Sequence, residues 1–487
     1  MSDLSRPRSR GTLLRGSLAL AVASLLVACA NPGAAHPPLE RTTPQALGLA
    51  AAPASEAELP TAQWWKALGD AQLDALMNEA LAQHPSLAMA RARAAQAAAL
   101  ADARRAANGP QAGFSADVSR QRYTANGLYP PPIAGNVYNS ENLQATLSWA
   151  PDFFGLHHAE LEAALGQARA AQADAAAAAN TLATQLARSW VALARILADQ
   201  QVAQQALEQR QSIKRLTSDR VTAGLDSQVE LTQADAAVPE AAAQAEALAE
   251  QATLARRQIA VLAGKAPDAL PALAPRLGTL ALPAVPAVLG ADLLGRRPDV
   301  VAARWRIEAA TQGVSAARSE FYPNINLSAF IGLNALGLDS LFQSSSRQIG
   351  VAPALRLPIF DGGHLRAQLG GRQAELDAAI AQYNATVLDA VKQAGDALAS
   401  VQSIARQQAL QQQVQAGSEK AWRYAKERYG AGLGNYLVVL GTESQVLAQR
   451  RQAVALEARA LDVRVALMNA LGGGWSDDTA ALQTAAR

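Results

Sequence analysis

The chain has a single cysteine, Cys29, among its 487 residues, so no disulfide can form within it. Histidine is nearly as scarce. His36, His84, His157, His158 and His364 are scattered, and the adjacent pair would point about 100° apart on a helix with no fourth ligand in view, which excludes a metal centre. No GxxxxGK[ST] segment is present, so there is no phosphate cradle and no fuel-consuming step. Polar side chains with catalytic potential are spread over a repetitive skeleton without converging, so neither an enzyme nor a cofactor site is expected. Apolar runs of about 20 residues are missing, and helical bilayer spans with them. Proline is absent from 152 to 238 and from 359 to the end, leaving nothing there to interrupt a helix.

What is present begins with a leader. Arg6, Arg8, Arg10 and Arg15 precede the apolar stretch Leu18 to Ala28, the charged-then-greasy layout of a secretory signal spanning 1–28. The run Leu26-Val27-Ala28-Cys29 resembles a bacterial lipobox, which implies a cleaved leader and a Cys29 carrying diacylglycerol and an N-acyl chain. Ala30 in place of aspartate favours, by the same resemblance, onward sorting to the outer membrane. Residues 29–62, rich in proline and alanine, read as an extended tether. Without its leader the chain carries 39 basic against 40 acidic side chains, a balance that gives no support to nucleic-acid binding.

The remainder reads as one unit written twice. Arg220-Val221-Thr222-Ala223-Gly224-Leu225 recurs 208 residues later as Arg428-Tyr429-Gly430-Ala431-Gly432-Leu433. Arg105, Pro110 and Ser115-Ala116 recur at Arg318, Pro323 and Ser328-Ala329, and Trp149 to Phe153 is echoed by Arg356 to Phe360. Similar offsets in the same order make 63–270 and 290–475 two copies. Each has the order helix, strand pair, very long helix, glycine turn, helix. Leu376, Ile380, Tyr383, Val387, Val391, Ala394, Leu398, Val401 and Ile404 fall at steps of three and four, as do Leu182, Leu186, Trp190, Leu193 and Leu197, marking amphipathic helices that need partners. Helices near 60 residues would reach roughly 90 to 100 Å, too long for a compact globule, and imply a bundle or tube. The stretches 111–123, 137–149, 323–336 and 346–357 alternate instead, as two-sided strands do. Such strands fit a transmembrane barrel wall, but four cannot close one and open edges are not tolerated in lipid. Three copies would supply 12.

Gly295-Arg296-Arg297-Pro298-Asp299-Val300, then Ala310, Ala317-Arg318, Phe321-Tyr322-Pro323 and Leu327-Ser328-Ala329, resemble the signature of the outer membrane factors of tripartite efflux pumps, in the TolC-like, NodT-type lipoprotein subgroup. Trp64-Trp65, Pro358-Ile359-Phe360-Asp361-Gly362-Gly363, the Arg428 to Leu433 turn and Ala470-Leu471-Gly472-Gly473-Gly474-Trp475 match in order. The resemblance implies a mainly α chain with a transmembrane β-barrel portion: a homotrimer whose 12-stranded barrel, four strands per chain, continues as a long periplasmic α-helical barrel. It also implies a periplasmic adaptor (membrane fusion) protein, an inner-membrane transporter of RND type, and passive conduction. The expected layout is signal 1–28, tether 29–62, short helices 63–110, hairpin 111–150, long helical hairpin 151–270, linker and short helices 271–322, hairpin 323–358, long helical hairpin 359–475 and tail 476–487.

Asp152 and Asp361 stand where strands give way to long helices and are expected to cap them, with Gly155, Gly362 and Gly363 supplying the bend. Gly224 and Gly432 allow each long helix to turn back. Family resemblance adds adaptor contact, for which Arg220, Gly224, Leu225 and Asp226 in copy one and Arg428, Gly432, Leu433 and Asn435 in copy two are the docking candidates. Copy one has Asp226 and Glu230 where copy two has Gly434 and Val438, so six tips in a trimer would alternate in charge and present two inequivalent grooves. Closing contacts are expected among Arg220, Arg428, Asp219, Asp226, Glu419 and Glu427 as weak exposed pairs of about 0 to 1 kcal/mol each. Asp235 and Asp396 are further gate candidates. Efflux of small toxic compounds is the favoured function, with a type I protein-secretion conduit and a non-conducting periplasmic scaffold as alternatives. The substrate is not readable, although the lack of methionine clusters beyond Met77, Met89 and Met468 argues against a dedicated copper path.

Overall fold

The computed structural model describes residues 37–43, 45–47, 60–281 and 293–476; Cys29 and the leader lie outside them. The elements in chain order are α1 (Ala71–Gln83), α2 (Pro85–Ala107), β1 (Gln111–Arg122), β2 (Val137–Trp149), α3 (Leu156–Thr222), α4 (Gln228–Leu262), α5 (Pro298–Ser319), β3 (Asn324–Leu336), β4 (Arg347–Arg356), α6 (His364–Gly430) and α7 (Tyr436–Ala470). The proline-free stretches do what their composition allows. Helices α3 and α6 are each 67 residues long and α7 is 35, while α4, also 35, runs on through Pro239. The described residues divide into two compact units, those within 1–41, 95–170 and 304–382 and those within 42–94, 171–303 and 383–487.

The first unit holds an antiparallel sheet in the order β1-β2-β3-β4. Its register runs straight across. Phe114 faces Ala145, Ala145 faces Ile331, and Ile331 faces Ile349; one step along, Ala112, Leu147, Ala329 and Val351 form the next row. Because side chains alternate with period two, these rows share one face with Val118, Leu143 and Leu355. The other face carries Ser115, Asp117, Gln144, Thr146, Ser148, Asn326, Ser328 and Gln348. Among the described residues β1 pairs only with β2 and β4 only with β3, so each leaves a row of backbone amides and carbonyls without a strand partner there. Val314 and Ala317 from α5, with Phe321 just past its end, pack on Leu369 of α6 in this unit's small core.

The second unit is helical. Trp64, Trp65, Leu73, Met77, Leu186, Trp190, Leu193, Ile259, Leu461 and Val465 belong to its main core, all buried. Trp190 donates its indole N–H to Asp70 (3.0 Å), and the same carboxylate caps α1 by accepting the amides of Gln72 and Leu73. Arg297, inside the Gly295 to Val300 signature, is buried as a stitch: it forks onto Asp299 (2.7 and 3.1 Å) and donates to Gln393 Oε1 (3.1 Å) and the Ala470 carbonyl (3.2 Å). No helix among the described residues is long and apolar enough to cross a membrane.

Candidate functional site

Two places collect the sequence-predicted residues, one in each unit. In the sheet unit, Asp152 accepts the His158 amide (2.7 Å), and Asp361 accepts those of Gly363 (2.9 Å) and Leu365 (2.6 Å). Those hydrogen bonds hold the Asp361 carboxyl below the usual carboxylate range, the Leu365 amide contributing most. Gly155, Gly362 and Gly363 sit at φ of 77°, 65° and 92°, values that make the bend from strand to helix cheap only for glycine. Phe154 stacks on Tyr322 at 5.3 Å beside a cavity of about 340 Å³ lined by both aspartates, His157, His364 and Arg356. Among the described residues no three His, Cys, Asp or Glu side chains are grouped to hold a metal.

In the helical unit the two glycine turns share one geometry. Leu225 N–H bonds back to Arg220 O (2.9 Å) and Gly224 N–H to Val221 O (3.0 Å); Leu433 and Gly432 repeat this on Arg428 and Tyr429 (2.8 and 3.0 Å). This double bond pattern with a left-handed glycine ends a helix and satisfies its last carbonyls. Ser227 then opens α4 with a reciprocal capping box to Glu230, and Asn435, one repeat on, opens α7 by accepting the Val438 amide (3.1 Å). Asn435 therefore has a capping task of its own. Leu225 and Leu433 stand at the turns, 65% and 70% exposed.

Behind the turns the hairpins are tied by one polar cluster. Arg220 forks onto Asp226 (2.8 and 3.0 Å), donates a third bond to the Tyr429 carbonyl (3.0 Å) and lies 4.5 Å above the Tyr429 ring. Tyr429 in turn donates its hydroxyl to Asp226 (2.6 Å) and lies 3.2 Å from the Thr217 hydroxyl. The Arg220 guanidinium, with help from Tyr429, holds the Asp226 carboxyl below its ordinary value, while burial and then Asp226 push the Tyr429 phenol up. Below the cluster Ile213, Ala234, Ala425, Tyr429, Tyr436 and Val439 form a compact apolar core drawn from all four long helices.

The residues named for closing pairs are placed as follows. Arg220 and Asp226 do pair, but within one hairpin and with only 11% and 10% of their side chains exposed. Asp219 and Glu427 stand exposed outside the cluster. Arg428 donates to the Leu433 carbonyl (3.2 Å), Glu419 pairs with Arg450 (3.2 Å), Asp235 with Lys214 (2.8 Å) and Asp396 with Lys392 (2.7 Å) along one helix. Tyr429 and Thr217, the links between the hairpins, were not anticipated. A signal existed: Tyr429 follows Arg428 in the repeated motif where copy one has the mute Val221.

The described residues thus combine a sheet with one apolar and one polar face and, joined to it in sequence, two helices of 67 residues that fold back at glycine turns. The family model for "Outer membrane efflux protein" matches twice, at residues 76–265 and 289–473, once for each repeat. The chain is 33% identical over 464 residues to the multidrug resistance outer membrane protein MdtQ of Escherichia coli O6:H1, covering 93% of this chain and 96% of that one. It is 37% identical over 380 residues to the fusaric acid resistance protein FusA of Burkholderia cepacia, covering 76% and 71%. Among solved structures, the outer membrane protein VceC of Vibrio cholerae superposes with a TM-score of 0.78 at 33% identity over 85% of this chain and 99% of that one. The outer-membrane channel OprN superposes at 0.80 with 27% identity over 91% and 99%. The chain belongs to the outer membrane efflux protein family, the TolC-like outer membrane factors. It works as an outer-membrane channel.

Proposed function

We propose that three copies of this chain close a 12-stranded barrel in the outer membrane and extend helical hairpins into the periplasm, where an adaptor and an RND-type transporter deliver small toxic compounds for passive release. The observation that carries this reading is the sheet: four strands, apolar rows on one face, amides and hydroxyls on the other, and both edges without a strand partner among the described residues. Lipid tolerates the apolar face but not open edges, and pairing β1 of one copy with β4 of the next satisfies both. Cys29, acylated, anchors the chain through the tether 29–62. At the periplasmic tips, Arg220, Gly224, Leu225, Asp226, Arg428, Gly432, Leu433 and Asn435 form the docking surface, with Leu225 and Leu433 as its exposed apolar contacts. The Arg220, Asp226, Tyr429 and Thr217 cluster holds the hairpins together in the resting state.

A small toxic organic cargo is supported by relatives named for multidrug and fusaric acid resistance. Single-channel recording of the purified lipoprotein in planar bilayers, paired with susceptibility of a deletion strain to dyes, antibiotics, fusaric acid and metals, tests the proposal. Current from a trimer and sensitisation to organic compounds are expected. A monomer with solvent-exposed strands and no current would overturn it.

A further inference from the structure

The duplication exposes one position where the two repeats part company. On α4, Asp235 pairs with Lys214 of α3 at 2.8 Å, both about half exposed. The same places 208 residues on are Glu443 of α7 and Trp422 of α6, so the carboxylate is kept and its lysine is gone. Glu443 is 1% exposed, and among the described residues neither of its oxygens has a hydrogen-bond partner; Trp422 Nε1 and Arg210 Nε are likewise buried atoms with no hydrogen-bond partner there.

Every element around Glu443 answers its charge poorly. From α3, Arg210 approaches only to 3.8 Å and spends its Nη1 on Glu240 of α4 (2.7 Å) and the Ala237 carbonyl (3.1 Å). From α6, Lys426 faces it with its ammonium 5.7 Å over the Trp422 ring, and on α7 itself the Tyr436 phenol is near enough to feel the carboxylate. A cavity of about 220 Å³ lined by Arg210, Ser444, Glu240 and Arg451 lies alongside, roomy enough for water. A buried carboxylate without hydrogen bonds is relieved in two ways: it takes a proton, or its surroundings open to water.

We propose that Glu443 is a proton-operated lock on the helix bundle behind the tips, packing α7 against α3 and α6 when protonated and favouring their separation when ionised. Burial raises the Glu443 carboxyl above its ordinary value, with Arg210 and then Lys426 opposing. A raised folded value means that the packed form is most stable in acid and loses that stability as pH rises through it. Asp226, shifted down, stays ionised throughout, and no histidine lies in 203–240 or 418–451. The lock deepens the proposed channel reading without depending on current as its only readout.

Hydrogen exchange of the amides of residues 436–447, in the full lipoprotein at about pH 5 and about pH 8 and corrected for intrinsic rates, tests it. Wild type is expected to gain protection in acid by up to about tenfold per pH unit inside the titration window. Glu443→Gln is expected to be protected at both pH values, and Trp422→Lys, which restores the pairing of the other repeat, to flatten the profile. Protection independent of pH in wild type, or a pH dependence that survives in Glu443→Gln, overturns the lock. Loss of channel current with the exchange profile intact would instead count against the channel reading alone.

Discussion

Tyr429 shows how much one side chain decides. Its hydroxyl donates to Asp226 and lies beside Thr217, its ring supports the Arg220 guanidinium, and its carbonyl accepts from the same arginine, so it joins both hairpins at four points. Tyr429→Phe removes only the hydroxyl and leaves Asp226 short of one charged hydrogen bond, a loss of about 1.5 to 3 kcal/mol. Lower thermal stability and more frequent spontaneous opening in bilayer recordings are expected. The pH response of this cluster follows from the depressed Asp226 value. Its stabilisation is full above about pH 4 and fades only as pH falls through the lowered carboxyl. Titrating tip protection downward from neutral should therefore show no loss from Arg220 and Asp226 until strongly acidic pH, which Asp226→Asn would abolish. None of this was readable from charge spacing. The sequence shows Arg220 and Asp226 six apart across a glycine turn, but nothing in it says that a tyrosine 203 residues from Asp226 closes the set.

At the scale of elements the local code is plain. Absence of proline permits helices of 67 residues, and periodic apolar positions such as Leu186, Trp190, Leu193, Val387 and Ala394 are the ones found buried. Glycine turns and Asp, Ser or Asn caps stand where unsatisfied helix ends need them. Gly432 is a clean test of this code. It sits at φ of 75°, and an added Cβ would meet nothing nearer than Arg220 Nη1 at 4.0 Å, so Gly432→Ala pays only for the backbone, about 1 to 2 kcal/mol. A melt shifted downward with the fold retained is expected, measured by circular dichroism. An unchanged melting temperature would mean the turn had relaxed out of the left-handed conformation.

For the whole molecule the sheet faces carry the decisive chemistry. Ile349 lies in the row with Phe114, Ala145 and Ile331, whereas Ala352 lies on the opposite face beside Ser328. In a membrane-spanning wall, Ile349→Lys should cost about 2 to 4 kcal/mol near mid-bilayer, and Ala352→Lys, facing water, close to nothing. Equilibrium unfolding from lipid vesicles separates the two. Equal costs would sink the assignment of faces.

Composition and periodicity alone determined the long helices, the four alternating strands, the duplication and the caps, because each depends on interactions within a few residues or on a repeat visible in the string. Tertiary structure decided the rest. Which strands are neighbours, which pairs are buried, and why Glu443 is sealed in while its counterpart Asp235 stays wet all depend on side chains from distant helices. Burial sets the dielectric around a charge and the partners within its reach, and neither quantity exists until those helices have met.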